Sequence, residues 1–300
     1  MGISVYNIKR WTRMLTGHSI YHVEQNLGKA FVAEQLNGYF NDMTKKVIFG
    51  DKNLDKNGIP FLVHSDGSKI EMPTMIFQYG LGAYDLWLLN SEKEYFSKAL
   101  NCADWAIQNQ EKSGAWNTFF YIYPHTPYSA MPQGEGVSLL LRVYKETAER
   151  KYLLAAKKAV DFMLMDVKNG GVSDYSNGEL KLLEYTHLPI VMNGWIFALF
   201  GLYDFYLLTG EYEKEFLKSV HSLEKCMPVF DSGYWSMYDV DGNIASPFYH
   251  NLHIAQMQAL YMVTKSELFN QYAKIFTVYQ SKCLNRNRAF IKKALQKIVE

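Results

Sequence analysis

Cysteine is scarce in this chain: three residues in 300, Cys102, Cys226 and Cys283, widely spaced and with no Cys-x-x-Cys pair. An odd, scattered set excludes a disulfide framework and a zinc knuckle and leaves reduced structural thiols as the default. An excess of either charge is missing too. Lys and Arg number 31 against 30 Asp and Glu, for a formal charge of +1, so the basic surplus of a nucleic-acid binder is not there. No stretch approaches the length of uninterrupted apolar sequence that spans a membrane, and Met1–Gly17 has no apolar run of signal-peptide length. Gly2 does not open a myristoylation signal, because Tyr6 stands where Ser or Thr is needed. The expectation is a cytoplasmic protein without a nucleic-acid partner or an integral membrane span.

What the chain does carry is a large apolar content, 48%, with 20% charged residues, which fits a folded domain with a substantial core. Aromatics reach 15%, with 22 Tyr, 18 Phe and 6 Trp. Tyrosine joins a flat apolar face to a hydroxyl, so the excess suits a cleft holding something polar and ring-shaped; a large Tyr-rich core accounts for it equally well.

A repeat sets the expected architecture. Tyr84-Asp85-Leu86-Trp87-Leu88-Leu89 returns as Tyr203-Asp204-Phe205-Tyr206-Leu207-Leu208, with weaker copies at Val143–Thr147 and Leu260–Thr264. Each copy closes an apolar helix, passes a polar turn and opens a second helix with an aromatic: Tyr95, Tyr152, Tyr212 or Phe269. The first helix of each pair is apolar all round, as in Trp195–Leu202, and the second amphipathic, as in Lys151–Asp166. An all-round apolar helix must be covered by neighbours, and an amphipathic one covers it from outside. Four such hairpins predict a mainly α protein, an α/α barrel in the form of an incomplete toroid, with a small β portion. The expected domains are 1–72, an arm plus an extended lid or rim segment, and 73–300, the barrel. Tyr6–Leu15, with Lys9, Arg10, Arg13 and Trp11, reads as a solvated arm or a membrane-surface segment. Ala115–Tyr123 reads as a strand, and Tyr234–Ala245 as a hairpin turning at Asp241-Gly242.

Sliding along the repeat puts Pro73-Thr74, Met131-Pro132-Gln133, Met192-Asn193 and Phe248-Tyr249-His250 at equivalent helix starts. The loops before them are rich in polar aromatics and acid–base groups: Tyr121, Tyr123, His125, Tyr128, Glu184, Tyr185, His187, Trp235 and Tyr238. Such clustering at one mouth points to a cleft, and helix N-termini aimed into it favour an anionic ligand. Candidate ligand contacts are Trp116, Tyr128, Gln133, Asn193, His250 and His253.

Ser129-Ala-Met-Pro-Gln-Gly134, Glu184-Tyr185 ahead of Asn193-Gly194, Gly201-Leu-Tyr-Asp204 and Tyr249-His-Asn-Leu-His-Ile254, in that order, resemble the helical domain of the D-glucuronyl C5-epimerases. Asn57-Gly-Ile-Pro60 and Gln78-Tyr-Gly-Leu81 extend the likeness, which runs from about Tyr39 to Lys282, towards bacterial members. These enzymes invert C5 of glucuronate within heparan- or heparosan-type chains. The resemblance implies an α/α barrel, no organic cofactor and a uronate-containing polysaccharide as partner, in the setting of capsule or surface-polysaccharide synthesis. It also implies a catalytic Glu184-Tyr185 pair, with Tyr238 and Tyr249 matching two further tyrosines of the family. The chemistry asks for such a set: a base on one face of the sugar, an acid on the other, and neutralisation of the carboxylate next to C5. The expectation is Glu184 or Tyr185 on one face, Tyr249 on the other, and Tyr238 orienting the carboxylate. The chain departs from the pattern in one place. Vertebrate members carry a substrate-binding arginine where this sequence has Asp241, with Arg142 and Lys181 as distant substitutes. Animal members also have a β-rich domain before the helical one; here residues 1–72 stand in that place, and a homodimer completing the cleft is the expectation this leaves.

Alternatives stay open at this level. His250 and His253 share a helix face and could bind a metal with Glu184, although hydrogen-bonded core histidines are the commoner outcome and no metal is assigned. Asn53-x-Asp55-x-Asn57-Gly58 mimics half of a calcium loop with His64 where its glutamate belongs, and an Asx-rich turn explains it more simply. A lyase shares the C5 deprotonation. A glycosidase needs a second carboxylate beside Glu184, for which Glu135 and Asp239 are candidates. A non-catalytic glycan-binding protein would use the tyrosines for stacking alone.

Overall fold

The computed structural model describes residues 25–50, 53–64 and 66–299. The basic stretch Tyr6–Leu15 lies outside them. Four helical hairpins follow one another: α1 (Pro73–Asn90) with α2 (Lys93–Asn109), α3 (Ala130–Thr147) with α4 (Arg150–Met163), α5 (Met192–Thr209) with α6 (Glu213–Cys226), and α7 (Pro247–Thr264) with α8 (Glu267–Ser281). A further helix, α9 (Cys283–Val299), closes the chain. The odd-numbered members of the hairpins form the inner ring. In α5, every residue from Met192 to Phe205 is buried, whereas α6 buries only the stripe Phe216, Ser219, Val220, Ser222 and Leu223. The mainly α barrel expected from the repeat is therefore the fold. The β portion is small: β1 (Leu62–Val63) pairs with β2 (Lys69–Ile70), and β3 (Ser173–Asp174) with β4 (Lys181–Leu182), both antiparallel.

The repeat has a local physical basis at the inner-helix C-termini. Ser91, Ala148, Gly210 and Lys265 all adopt the left-handed conformation, and the N–H of each donates to the carbonyl four residues back. Just before three of them, Thr147, Thr209 and Thr264 donate a hydroxyl to the i−4 carbonyl and accept from the amide two residues on. Each inner helix is thus stopped and turned within two residues. α3 and α5 touch backbone to backbone, because a Cβ on Gly201 would stand 2.3 Å from the Cα of Gly134.

The ring is incomplete: α7 does not pack against α1 as the other inner neighbours pack. Residues 25–46 fill the interior there. They fold back on themselves, with Gly28 N–H donating to Phe40 O and Asp42 N–H to Asn26 O. They bury Tyr39, Phe40 and Met43, and Phe40 stacks on Phe200 at 3.7 Å. The lid expectation holds for none of this part, whose residues belong to the same core as the barrel helices. The plug is fixed by charge. The Arg142 guanidinium, 1% exposed, donates to Asn37 O, Gly38 O and Ser138 O, and pairs with Asp204 Oδ2 at 2.5 Å. Asp85 accepts the Tyr39 amide at 2.9 Å. The two Tyr-Asp repeats therefore hold the plug as well as packing the core.

One further expectation is corrected. Ala115–Tyr123 runs as irregular chain into a turn at 119–122, with Thr118 and Phe119 N–H both donating to Pro127 O. Phe120, Tyr121 and Ile122 are exposed, with no pleated neighbour to pair with. Asp55 closes the Asx turn that the sequence favoured, its Oδ1 accepting from Asn57 and Ile59 N–H while Lys69 Nζ lies 3.4 Å from Oδ2. The hairpin at Tyr234–Ala245 is present in reduced form, through a Met237–Ile244 bridge and the turn at Gly242 (φ 87°).

Two measurements check this frame. Ala148→Gly removes a Cβ from a left-handed residue and should raise stability by about 1 kcal/mol in a denaturant melt. Asp204→Asn strands the buried guanidinium and should cost about 3–5 kcal/mol in the same experiment.

Candidate active site

All four inner helices start at one end of the barrel, and their lead-in loops are bonded to one another. The first amide of α3, Ala130, donates to Leu183 O at 2.8 Å, and that of α5, Met192, donates to Tyr238 O at 3.1 Å. α3 and α5 thereby each clamp the loop of the next inner helix, and a site residue lies at or beside each clamp. Glu184 follows Leu183. Tyr238 supplies the clamped carbonyl and is held from the other side by its own N–H to Asn243 O. Tyr249 sits in the first turn of α7, where Ser246 caps the helix by accepting the Tyr249 amide.

These loops bring Glu184, Tyr185, Tyr238 and Tyr249 into one cluster. The rings of Tyr238 and Tyr249 lie 4.9 Å apart, and the Tyr238 hydroxyl donates to the Tyr249 oxygen. Tyr185 stacks on Phe119 at 4.8 Å and meets Tyr123 edge-on. Glu184 is 7% exposed and packs onto Gly194, where a Cβ would stand 2.2 Å from Glu184 Oε2; only glycine leaves that space. Burial pushes the Glu184 carboxyl up to about 7, against the opposing effect of the Tyr185 phenol beside it. The phenols are pushed up as well. For Tyr185 the Glu184 charge is the main cause and burial the second; for Tyr238 and Tyr249 burial leads and the Glu184 charge adds to it. At neutral pH the cluster thus holds one carboxyl poised between its two forms and three protonated phenols.

The other candidates are placed differently. Asn193 opens α5 beside Gly194, buried, with Oδ1 lacking a partner among the described residues while its carbonyl accepts from Gln256. Gln133 is occupied by the frame: it accepts the Trp116 amide and donates to Gly114 O and Ala159 O. Trp116 is 1% exposed, donates its indole to Ala106 O and packs on Phe77. Tyr128 turns outward to Glu111 and the Phe162 ring. His250 and His253 both direct Nδ1 at the Ser236 hydroxyl. The Ser236 amide also donates to His250 Nδ1, so the His250 proton is on Nε2, facing Phe276 O. Burial pulls His250 down to about 3 and holds His253 well below its ordinary range, so both are neutral. These contacts engage Gln133, Trp116, Tyr128 and His250 in building the frame, where the sequence suggested ligand contacts. Gln133 and the histidines are buried, Trp116 packs between α1, α2 and α3, and Tyr128 faces Glu111 and α4.

Arg142 and Lys181 are also committed elsewhere, the first to Asp204 and the second to Glu179 at 2.8 Å and Asp174. Asp241 is exposed at the hairpin tip. Of the other carboxylates, Asp239 spends both oxygens on its own turn, bonding the Asp241 and Asn243 amides and the Asn243 side chain. Glu135 lies wholly buried in α3, bonded to Gln78 at 2.7 Å, and burial raises it to about 8. Phe119, which supports Tyr185, and Gly194 carried no separate signal in the sequence as site residues.

Residues 92–278, well over half of the chain, match the family model described as the D-glucuronyl C5-epimerase C-terminus. A D-glucuronyl C5-epimerase of Caenorhabditis elegans is 28% identical over 217 residues, which are 62% of this chain and 35% of that protein. An uncharacterized protein of Methanocaldococcus jannaschii is 31% identical over 153 residues, 48% of this chain and 50% of that one. The chain thus spans half or less of the length of these curated relatives. Among solved structures, a family 76 glycoside hydrolase from a bovine Bacteroides thetaiotaomicron strain aligns with a TM-score of 0.52 at 15% identity, over 74% of this chain and 50% of that one. That likeness concerns the fold.

The electrostatics of the cluster can be read directly. Carboxyl titration by NMR should place Glu184 near pH 7. Tyr185→Phe, by removing the hydroxyl that holds the value down, should move it higher. A Glu184 titrating in the ordinary carboxylate range would contradict the buried placement.

Proposed function

Because this chain belongs to the D-glucuronyl C5-epimerase C-terminus family, we propose that it inverts C5 of hexuronate residues in a polysaccharide of the heparosan type by proton transfer on two faces. The observation that carries this reading is the pairing of a near-neutral buried carboxyl, Glu184, with the hydrogen-bonded phenols Tyr238 and Tyr249, which keep their protons. One group is ready to accept a proton and the other to give one.

The step balances on these groups. The ionised Glu184 takes the C5 proton, and the C–H electron pair moves into the adjoining carboxylate as an enediolate. Tyr249 then delivers its phenolic proton to C5 from the opposite face, and the Tyr238 hydroxyl stabilises the resulting phenolate through the bond it already donates. Proton return from Glu184 to Tyr249 through solvent resets the pair. Tyr185 keeps Glu184 acidic enough to be ionised near neutrality. A glycosidase would need a second available carboxylate in the cleft, and Asp239 spends both oxygens on its own turn, so that candidate is not available for the alternative. The starting chain, its sulfation and its place in capsule or glycosaminoglycan synthesis belong to the same proposal.

The test is exchange of deuterium from solvent into C5 of a heparosan polymer, without chain cleavage. Tyr249→Phe and Glu184→Gln should each slow exchange by about 10² or more, with a stability change within about 0.5–1.5 kcal/mol for the lost phenol hydrogen bond. The sign of the pH dependence follows from Glu184. Its carboxyl is raised to about 7, so the base form is lost as pH falls through 7, and exchange should drop about tenfold per unit below that. Unsaturated chain ends in place of exchange would assign a lyase, and a parental rate in a folded Tyr249→Phe would remove that phenol from the mechanism.

A further inference from the structure

The last helix, α9, lies past the 92–278 family match and is turned the opposite way from an ordinary amphipathic helix. One stripe of it, Ala289, Lys293 and Gln296, faces the Tyr234–Ala245 hairpin. Ala289 packs with Tyr234, Trp235, Ile244 and Ala245, Lys293 Nζ lies 5.5 Å from the centre of the Tyr238 ring, and Gln296 bonds Ile244 N–H and Gly242 O. Two of these three inward residues are polar. The opposite stripe is apolar and meets solvent. Leu284, Ile291 and Leu295 share one helix face by their spacing, and they are 83%, 59% and 58% exposed. Phe290, exposed as well, stands at the edge of the stripe. An amphipathic helix on a globular protein buries its apolar stripe; one that points it outward presents a contact surface.

The charges around the stripe define what it contacts. Arg286, Arg288, Lys292, Lys293 and Lys297 give α9 five cations, and no acidic residue stands between Cys283 and Val299. Arg288 and Lys292 join Tyr234, Met237, Ile291 and Leu295 in lining an open groove of about 660 Å³ between α9 and the hairpin. Arg288 lies over the Tyr234 ring, its guanidinium carbon 3.8 Å from the ring centre, which keeps that cation at the groove. Apolar walls with cations beside them suit an amphiphile with an anionic head. A second copy of the chain is the poorer occupant, because a two-fold contact here would set this cationic helix against itself. Residues 1–24, outside the described ones, bring Lys9, Arg10 and Arg13 against a single acid, Glu24, and complement it no better. A soluble polyanion would answer the cations alone and give three exposed aliphatic side chains nothing to bind.

We propose that α9 is an interfacial helix that docks this protein on an anionic lipid bilayer. Leu284, Ile291 and Leu295 enter the headgroup region, and Arg288 and Lys292 pair with lipid phosphates. The hairpin carrying Tyr238 rests on the other stripe of α9, so docking leaves those contacts in place. The proposal goes beyond the uronate reading and does not depend on it.

The experiment is co-sedimentation, without carbohydrate, with vesicles of phosphatidylcholine alone or with about a third phosphatidylglycerol. The parent should bind the anionic vesicles about tenfold more tightly than the neutral ones, and added salt should erase the difference. Ile291→Asp combined with Leu295→Asp should weaken anionic binding by about 10² and keep the parental melt, since both side chains stand in solvent. Arg288→Gln combined with Lys292→Gln should remove the preference for anionic lipid and spare the weak neutral binding. A parent that stays in solution beside anionic vesicles overturns the proposal. So does a folded Ile291→Asp/Leu295→Asp protein that binds as the parent does, which would trace the attraction to charge elsewhere. A parent dimer in analytical ultracentrifugation that this double substitution splits, with no vesicle binding, assigns the stripe to a second copy and overturns it too. If the double substitution shows no cooperative melt, Leu284→Asp, at the most exposed of the three positions, decides in the same assay. Deuterium exchange plays no part in the binding measurement, so failure of the epimerase reading and failure of docking are read separately.

Discussion

One buried guanidinium ties the inner ring together. Arg142 projects from α3, pairs with Asp204 of α5 and donates to the carbonyls of residues 37 and 38. Without that arrangement three different elements lose their common partner: two inner helices that touch through Gly134 and Gly201, and the plug that fills the gap between α7 and α1. A buried ion pair is a poor source of net stability, because desolvating both charges offsets most of their attraction. Its value here is one of selection. An inner ring made of all-round apolar helices could slide or rotate at little cost, since one apolar face resembles another. A guanidinium with its donors satisfied only in one register removes that freedom.

The two ends of the barrel are thereby given different work. Near the C-terminal ends of the inner helices lie the Tyr-Asp repeats and the plug, where Asp85 holds the Tyr39 amide, Tyr84 bonds Glu146 and Arg142 pairs with Asp204. At the N-terminal ends, loops are clamped to helices by backbone bonds, which leaves the side chains of Glu184, Tyr238 and Tyr249 to face each other. Burial raises Glu184 to about 7, against the lowering effect of the Tyr185 hydroxyl. The outcome is a useful inversion. Burial makes a carboxyl a better base and keeps phenols protonated, so a single cause separates the two proton-transfer roles.

The barrel was largely legible in the sequence because its signal is periodic. The expected helix starts at Pro73, Met192 and the Met131 and Phe248 neighbourhoods fall on or within a residue or two of the observed ones. The plug was not, for a physical reason: Tyr39, Phe40 and Met43 follow no helical or strand period, and their fixing bonds come from Asp85 and Arg142, far away in the chain. The strand expected at Ala115–Tyr123 failed because β-type residues without a partner edge stay irregular. At the site, residue type and position identified the acid–base cluster, but not which polar groups the frame would consume. Gln133 beside a helix start reads the same whether its amide meets a ligand or the backbone of residues 114, 116 and 159, and only the packing of α3 against that loop decides.

The histidines show how the frame and the chemistry meet. Neither ionises in the neutral range, and each turns Nδ1 to Ser236. Ser236 belongs to the same hairpin as Tyr238, and His250 neighbours Tyr249 on α7. The Ser236–histidine bonds therefore lock the hairpin that carries one tyrosine to the helix that carries the other, with Trp235 stacked on His250 at 3.6 Å as a second fastening. The hairpin is gripped again through Met192 N–H to Tyr238 O and through Gln296 to Ile244. A proton transfer between fixed faces tolerates little movement of its donor, and attachments from one short hairpin to three helices, α5, α7 and α9, are what such a tolerance requires. The histidines thus serve the site through position, by holding Tyr238 and Tyr249 in hydrogen-bonding register while their own nitrogens remain neutral.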